Sequence, residues 1–407
     1  MKNNIKHMKF LGLVLLSIIV SSCERDISDD AVLATFPNTA EVFTDNPVGL
    51  TDQFFESFDP AEGYNAEAFN TDNSEAYLGE SSIRLDIPAP NDPNGGFMGG
   101  VFVDRGQGRD LSGYDALTFW VKASRTAVFD EVGFGTIFEG ERYAAKRFGI
   151  PLSTTWRKVV VPIPDPSKLT QEKGMFLFSA GSYDVLKNDD PFDGASYDDN
   201  LGWTFWIDEI RFEKLGTIGQ ARPMIYNGQD IAEDVFTGSQ IFLNDLKQSF
   251  QLGTGEVVTV NPSYNYFTFS SSDSNIINTD NLQFDQAGNP YVEVLDAGSA
   301  TISATLKNVA AEGSFRANSL GDFATAPDPT KPQEDVISIF SDAYTGVTNL
   351  NLAAYNDSNI IISAPIANGN QYINYENLNF VGLGWDGTVN ASQMTHLHVD
   401  VQITSSN

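Results

Sequence analysis

Short runs of alternating apolar residues, separated by clusters of turn residues, constrain this chain more than any other feature. Between residues 47 and 215 such runs recur at 82–87, 117–121, 158–163, 175–178 and 205–212. Turn clusters such as residues 91–96 separate them, and no window in this block keeps a helical period. The 29 Phe and 14 Tyr spread among 34 Gly and 18 Pro favour the same reading. The pattern predicts an all-β chain built from antiparallel sandwiches.

The 407 residues exceed what one hydrophobic core usually serves, so we expect several domains. Segments 216–230 and 319–334 are rich in Gly and Pro and are predicted to be linkers. They divide the rest into three blocks, 47–215, 231–318 and 335–407. The first block predicts an antiparallel sandwich, and the second, which is smaller, is consistent with a small Ig-like sandwich.

The third block repeats the pattern of the first. A shift of 280 residues places Leu117 on Leu397, Phe119 on Val399 and Val121 on Val401, which preserves the alternation. Self-similarity of this kind predicts a second copy of the first sandwich, of which residues 335–407 form the N-terminal half. Half a sandwich would leave an unpaired strand edge in water. We therefore expect the natural chain to continue beyond Asn407.

The N-terminus has the pattern of a secretory signal. Three lysines precede an apolar run over residues 10–20, which is too short to span a membrane. The small residues before Cys23 resemble the lipobox of bacterial lipoproteins. This resemblance implies a signal peptide over residues 1–22, a lipid on Cys23 that anchors the chain to the membrane, and a place in the cell outer membrane facing the exterior.

An acidic stretch over residues 24–30 follows Cys23 and cannot bury enough apolar area to fold, so residues 23–46 are predicted to be a flexible tether. The stretch also resembles the surface-export signal of Bacteroidetes lipoproteins. A merely solvated linker is an equally good interpretation of its charge.

Charge and cysteine content exclude several classes of function. The chain has 54 acidic and 24 basic residues, a formal net charge of -30, which repels nucleic-acid backbones and anionic lipid headgroups. Nucleic-acid binding is therefore excluded. A single Cys can form neither an intramolecular disulfide nor a cysteine zinc cluster.

The search for catalytic residues gives none. His7 lies in the signal, and His396 and His398 share one face of a predicted strand, where ordinary packed or exposed histidines are favoured over a metal pair. The first block has no His, so no Ser-His-Asp triad is available there. The adjacent Asp208 and Glu209 do not form the E-x-D-x-x-E strand of family 16 glycoside hydrolases, and the chain contains no such strand.

Five segments occur in an order that resembles a known family. They are residues 54–58 (FFESF), 79–85 (GESSIRL), 114–121 (YDALTFWV), 156–159 (WRKV) and 205–210 (FWIDEI). Together they resemble the jelly-roll carbohydrate-binding modules of Bacteroidetes surface lipoproteins, which also accompany family 16 glycoside hydrolases. Residues 271–276 and 297–302 resemble the two signature stretches of group 2 bacterial Ig-like domains, which usually act as spacers.

The resemblance implies a structural calcium ion. In this fold the first and last strands lie side by side, which would bring Glu56 next to Asp208. Two acids so placed repel each other unless a cation lies between them, and hard oxygen ligands suit calcium. A carbonyl from the Gly79 turn would complete the set. A surface acid pair with water between its members is the alternative.

Neutral glycans bind to aromatic faces flanked by hydrogen-bonding side chains. The candidates are Trp120, which alternation points away from the core, and Tyr143, in a polar strand with Arg142 as a donor. Tyr183 opens the acidic loop over residues 183–202. For each aromatic residue, burial in the sandwich is at least as good an interpretation.

The chain is thus expected to be a non-catalytic, glycan-binding outer-membrane lipoprotein that holds polysaccharide near uptake proteins or degrading enzymes. The family setting implies a neutral β-glucan such as laminarin. One alternative is the N-terminal accessory region of a longer family 16 glycoside hydrolase. A third is a structural or adhesion protein of the cell surface.

Overall fold

The computed structural model describes residues 36–402 except 52, 90–91, 138–141, 182–201, 323, 357–358 and 368. The predicted signal peptide, Cys23 and Tyr183 lie outside the described residues. From Pro37 onward the chain forms one compact unit. Among the described helices, none has the length and apolar content needed to cross a membrane.

Strands dominate the described residues, and their only helices are short 3-10 turns, so the all-β prediction is confirmed. The turns are Pro60–Glu62, Ala66–Ala68, Pro166–Lys168, Tyr226–Gly228, Tyr264–Tyr266 and Gln333–Asp335. In chain order the strands are β1 (Glu41–Phe43), β2 (Phe55–Ser57), β3 (Phe69–Asp72), β4 (Ser82–Ile87), β5 (Phe97–Val103), β6 (Ala116–Ala123), β7 (Ala127–Phe134), β8 (Ala145–Leu152), β9 (Arg157–Pro162), β10 (Gly174–Gly181), β11 (Trp203–Glu213), β12 (Gly219–Met224), β13 (Asp230–Thr237), β14 (Gln240–Phe242), β15 (Lys247–Gln251), β16 (Val257–Pro262), β17 (Phe267–Ser271), β18 (Gln283–Phe284), β19 (Pro290–Glu293), β20 (Gly298–Leu306), β21 (Val309–Ala310), β22 (Ser314–Asp322), β23 (Asn351–Asn356), β24 (Ile361–Ser363), β25 (Ile366–Ala367), β26 (Asn370–Gln371), β27 (Asn374–Glu376) and β28 (Val381–Gly384).

The first block is a sandwich of two antiparallel sheets. Sheet I has the order β3-β4-β11-β6-β9, with β1 paired to β11. Sheet II begins β2-β5-β10-β7-β8. Alternation turns one side of each strand inward, and the apolar side chains meet in an aromatic core that includes Phe102, Phe119, Phe129, Phe176 and Phe205.

A strand is already present before residue 47, inside the segment predicted to be a tether. Strand β1 pairs with β11, and Arg109 holds the segment around it. The fully buried guanidinium of Arg109 donates to the carbonyl oxygens of Thr39, Glu41 and Val48 at 3.1, 2.6 and 2.6 Å. It also pairs with Asp104 at 3.2 Å. The predicted tether over residues 23–46 is therefore too long at its C-terminal end.

The second block forms a smaller sandwich. Its larger sheet has the order β13-β22-β20-β17, with β21 on β20, and its smaller sheet has the order β14-β19-β18. Strands β13 and β22 run parallel, and the other pairs are antiparallel. Strands β16, β15 and β12 continue sheet II beyond β8.

The segment 216–230, predicted to be a linker, contains β12. This strand pairs with β15 at the end of the extended sheet II. An edge strand tolerates Gly and Pro because its outer N–H groups need no strand partner. Pro223 lies in this strand opposite Gln248, so the composition that predicted a linker is compatible with an edge strand. In the other predicted linker, 319–334, strand β22 continues to Asp322, and no strand occurs among the described residues that follow it there.

The third block consists of three two-stranded ladders, β23 with β28, β24 with β27, and β25 with β26. Among its described residues the buried side chains are those of Ser338 and Ala367. The strand expected over residues 397–401 is not formed, and Leu397, Val399 and Val401 are 81%, 65% and 76% exposed. Alternation alone does not make a strand where no neighbouring strand supplies hydrogen bonds.

His396 and His398 lie in this same irregular segment. The ring of His396 contacts the Thr395 hydroxyl at 2.7 Å, and that of His398 contacts Asp400 at 3.0 Å. The strand face that the two rings were expected to share is therefore absent.

Candidate functional site

The structure separates Glu56 from Asp208. Glu56 lies on β2 in sheet II, whereas Asp208 lies on β11 in sheet I. The N-terminal strand beside β11 is β1, not β2, so the premise that placed the two acids together is wrong. Glu56 instead forms an ion pair with Arg105 at 2.7 Å.

Asp45 takes the place that Glu56 was expected to fill. The turn around Gly79 donates backbone N–H groups to two carboxylates. Tyr77 and Leu78 donate to Asp208 at 2.8 and 3.1 Å. The next two residues of the turn, 80 and 81, donate to Asp45 at 2.5 and 3.0 Å.

Only glycine fits at the centre of this turn. Gly79 has φ +76, and a Cβ there would overlap the carboxylate of Asp45. Asp45 follows β1 closely in the chain and Asp208 belongs to β11. The pairing of β1 with β11 therefore places both acids at the turn.

Electrostatics at this turn disfavour two unpaired negative charges. Asp208 is fully buried, and burial raises the pKa of its carboxyl group. The N–H groups of Leu78 and Tyr77 oppose this rise, and the negative charge of Asp45 adds to it. A cation between the two acids would offset both effects, and carboxylate and carbonyl oxygens are the ligands that calcium takes. Across the described residues, no cluster of three or more His, Cys, Asp or Glu side chains is placed to hold a metal ion.

Trp120 points away from the core on sheet I, as its position in the alternation predicted. The ring of Tyr77 stacks on it with centroids 3.7 Å apart and planes 11° apart. Trp156 meets the Tyr77 ring edge-on at 5.9 Å. One face of Trp120 is therefore covered, and the aromatic side chain presented at this surface is that of Tyr77, which is 39% exposed.

Ion pairs cover much of the remaining outer face of sheet I. Lys122 pairs with Glu75 at 2.8 Å, and Lys158 pairs with Glu213 at 2.6 Å. Hydrogen bonds from Ser74 and from the Trp206 indole lower the pKa of Asp72 to about 2. This face therefore carries charges that neutralise one another.

Tyr143 and Arg142 lie where the two sandwiches meet. The Tyr143 ring is half-buried against Tyr266, with centroids 5.3 Å apart and planes 61° apart. The carbonyl of Tyr143 accepts the Tyr266 hydroxyl at 2.8 Å, and that of Arg142 accepts the Ser263 hydroxyl at 3.1 Å. The Arg142 guanidinium lies 5.3 Å from the Tyr143 ring. Both residues therefore contact the second sandwich at the junction. The Tyr143 ring is packed there, as the alternative of burial predicted, and does not form a free stacking surface.

Sequence reasoning missed the outer face of sheet II. There the strand registers place four residues in one line across β5, β10, β7 and β8, namely Gly99, Ser179, Glu131 and Phe148. We call this line the cross-strand row. Phe148 is 51% exposed although it lies within a strand, and Glu131 pairs with Lys146 at 3.3 Å. Alternation from the inward-facing Ile150 would turn Phe148 inward as well, and Gly149, at φ +64, breaks this alternation. The available signal was this glycine, since a glycine inside a strand often marks such an irregularity.

Aromatic rings gather at the other end of the row. The rings of Phe58 and Tyr64 lie directly over Gly99, where a Cβ would come within 2.9 and 3.0 Å of them. The Tyr64 hydroxyl contacts the Ser179 hydroxyl at 3.2 Å. The ring of Phe97 covers Gly181 in the same way. Glycines on this face thus let aromatic rings lie across the strands.

The row therefore combines aromatic rings at both ends with polar side chains between them. Such a surface can stack on the C–H faces of sugars and hydrogen-bond their hydroxyl groups. An exposed aromatic side chain beside an ion pair has no evident structural use, which makes this face the best candidate site.

Several solved structures of other proteins are similar to parts of this chain. A crystal structure of a family 30 carbohydrate-binding module is 17% identical over 43% of this chain and 87% of its own, with a TM-score of 0.27. The family 30 module of a cellulosomal cellulase of Clostridium thermocellum is 14% identical over 44% and 95%, with a TM-score of 0.25. A β-1,2-glucanase from Parabacteroides distasonis is 11% identical over 71% and 40%, with a TM-score of 0.30.

No curated protein sequence matches the chain. One family does match, over residues 39–214, and it is described as Carbohydrate binding domain 30. The matched region runs from just before β1 to the residue after β11, which is the whole first sandwich. The first sandwich of this chain therefore matches the family 30 carbohydrate-binding domains.

Proposed function

We propose that the chain binds neutral polysaccharide, without catalysis, on the outer face of sheet II. The observation that carries the proposal is the exposed Phe148 at one end of a row that ends in the Tyr64 cluster. The match of residues 39–214 to a carbohydrate-binding family supports it.

The charge of this face supports a neutral ligand. Glu131 and Lys146 neutralise each other at 3.3 Å, so the row adds no net charge. The chain as a whole carries a formal charge of -30, which disfavours acidic polysaccharides. Within the neutral glycans, we propose a β-glucan such as laminarin.

The experiment is a binding measurement on a panel of polysaccharides. Affinity electrophoresis with laminarin, mixed-linkage β-glucan, xyloglucan and an acidic polysaccharide should show retardation by a neutral glycan. Phe148→Ala should lower the affinity by about tenfold, because it removes one stacking surface. Tyr355→Ala, which removes an aromatic ring that is 75% exposed in the third block, is the matched control. Absence of retardation by every glycan would overturn the proposal.

The Tyr77 and Trp120 pair on sheet I is the second candidate surface. Its rings are fixed by stacking and by the bonds that hold the Gly79 turn. Binding of the same glycan panel by variants of each face distinguishes the two candidate surfaces. If Tyr77→Ala lowers the affinity and Phe148→Ala does not, the site lies on sheet I.

We further propose that Asp45 and Asp208, with a carbonyl of the Gly79 turn, hold a structural calcium ion. Calcium should raise the melting temperature by mass action. The double variant Asp45→Asn/Asp208→Asn should lose this shift, whereas Glu56→Gln should keep it. If calcium raises the melting temperature equally in the wild type, the double variant and Glu56→Gln, this assignment is excluded.

The remaining parts of the proposal concern the setting of the chain. We propose that Cys23 is lipidated and anchors the chain to the outer membrane, close to glycan uptake proteins. Radiolabelled palmitate should label the wild-type protein and not Cys23→Ala. An accessory role beside a family 16 hydrolase is the alternative, and an E-x-D-x-x-E strand in the coding sequence downstream would favour it.

A further inference from the structure

Sheet II does not stop at the boundary of the first sandwich. Strand β16 adds to its edge, with Asn261 opposite Lys146 and Pro262 opposite Ala145. Beyond β16 the sheet continues through β15 to β12. One sheet therefore runs through both sandwiches, joined at the junction by these two pairs of residues.

Contacts from the residues just after β16 fix the junction. The backbone N–H of Ser263 donates to the carbonyl of Ala144 at 2.8 Å, and the Tyr266 hydroxyl donates to the carbonyl of Tyr143 at 2.8 Å. A single cluster of buried apolar side chains extends through both sandwiches. The second sandwich is therefore a fixed neighbour of the binding face, not a spacer on a loose linker.

The cross-strand row has a continuation on the second sandwich. Two residues along each strand from the Lys146 and Asn261 pair lie Phe148 and Thr259. Thr259 is exposed and stands opposite Ser249 on β15. The flanking residues of β16, Val258 and Val260, are buried. The hydroxyl groups of Thr259 and Ser249 therefore lie on the same outer face as Phe148.

The extension changes the length of the face. Neighbouring strands lie about 4.8 Å apart, so the row from β5 to β8 spans roughly 14 Å. With β16 and β15 it spans roughly 24 Å. The added part offers hydroxyl groups and no formal charge at positions 259 and 249, which suits neutral sugar hydroxyls.

We propose that the glycan-binding face extends across the junction, so that the two sandwiches bind one polysaccharide chain together. The inference rests on the proposed function of the sheet II face. Short oligosaccharides bind on the first sandwich alone, and longer ones gain contacts with Thr259 and Ser249. Affinity therefore continues to rise when the oligosaccharide becomes longer than the row from β5 to β8.

The test is calorimetric titration of the full chain with oligosaccharides of the best polysaccharide, from disaccharide to octasaccharide. Thr259→Ala/Ser249→Ala should lower the affinity for the longest oligosaccharides by roughly tenfold and leave that for the shortest unchanged. The control is Thr268→Ala/Thr305→Ala. Thr268 and Thr305 are exposed and directly opposed across two strands, but they lie on the sheet of β17 and β20.

The outcomes separate this inference from the proposed function. If Phe148→Ala weakens all oligosaccharides while the Thr259 and Ser249 double variant weakens none, the site is confined to the first sandwich and the inference is wrong. If no oligosaccharide binds at any length, the proposed function itself fails. Equal losses at every length in the double variant would also overturn the extension, because they would indicate a general change in the fold.

Discussion

The phenolic hydroxyl of Tyr266 donates to the carbonyl oxygen of Tyr143 at 2.8 Å, which ties the second sandwich to the edge of the first. Their rings also pack edge to face, with centroids 5.3 Å apart. Burial raises the pKa of the Tyr266 hydroxyl, so it stays protonated and remains a donor at ordinary pH. Two sandwiches joined in this way should not unfold independently.

We therefore predict one shared unfolding transition for the two sandwiches in scanning calorimetry. Tyr266→Phe removes the donor to Tyr143 and should lower the free energy of unfolding by about 1–2 kcal/mol. Tyr355→Phe, at a side chain 75% exposed, should have no measurable effect. Two separate transitions in the wild-type protein would show that the junction does not couple the sandwiches.

Arg109 should hold β1 in place. Arg109→Met leaves Asp104 without its ion-pair partner and removes the donors to three carbonyl groups around β1. We expect a loss of about 3–5 kcal/mol in the free energy of unfolding, because a buried charge loses its partner. Limited proteolysis should then cut the chain before Val48. Arg105→Met, at an ion pair 40% exposed, should cost less than about 1 kcal/mol and leave the segment protected.

Gly79→Ala should destabilise the turn that holds the two carboxylates. The substitution adds a Cβ against the Asp45 carboxylate at a positive φ, with an expected cost of about 1–3 kcal/mol in urea unfolding. Gly113→Ala is the matched control, since a Cβ at Gly113 meets nothing within 4 Å. A Gly79→Ala protein as stable as the control would show that the turn can rearrange.

Asp208 should leave a signature in the pH dependence of stability. Because its folded pKa is raised above the ordinary 3.8, the unfolded chain ionises first as the pH rises. In the presence of a chelator, the stability of the wild type relative to Asp208→Asn should fall as the pH rises from 3.8 through the folded pKa, and then level off. Urea unfolding at a series of pH values measures this difference.

Calcium bound at the Gly79 turn should reverse the pH dependence of the stability of the wild type relative to Asp208→Asn. A cation favours the charged carboxylate, so saturating calcium should make the relative stability of the wild type rise with pH over the same range. A difference that rises with pH even in chelator would contradict the raised pKa.

Local patterns predicted the outward direction of Trp120 and the turn at Gly79. They did not predict that Asp45, rather than Glu56, shares that turn with Asp208. Asp45 and Glu56 lie close together in the sequence, so the local pattern does not decide which of the two acids lies beside β11. The choice depends on which strand pairs with β11, and such pairing brings together residues more than 150 positions apart.

The role of Phe148 was hidden for a similar reason. In the sequence it is one apolar residue among several in β8, and burial is the better interpretation for most of these. Its exposure depends on Gly149, whose φ of +64 breaks the alternation, so that Phe148 points outward although Ile150 points inward. The alignment of Phe148 with Ser179 and Gly99 depends on three strand pairings that no local pattern specifies.

The sequence by itself determined the fold class, since period-two alternation with frequent turns favours strands over helices wherever it occurs. It also determined the faces of individual strands, such as that of Trp120. Only the tertiary structure decided which faces and acids come together, and that segment 216–230 extends a sheet instead of linking domains. The physical reason is range: alternation and turn chemistry act between near neighbours, whereas strand order is set by hydrogen bonding and core packing between distant parts of the chain.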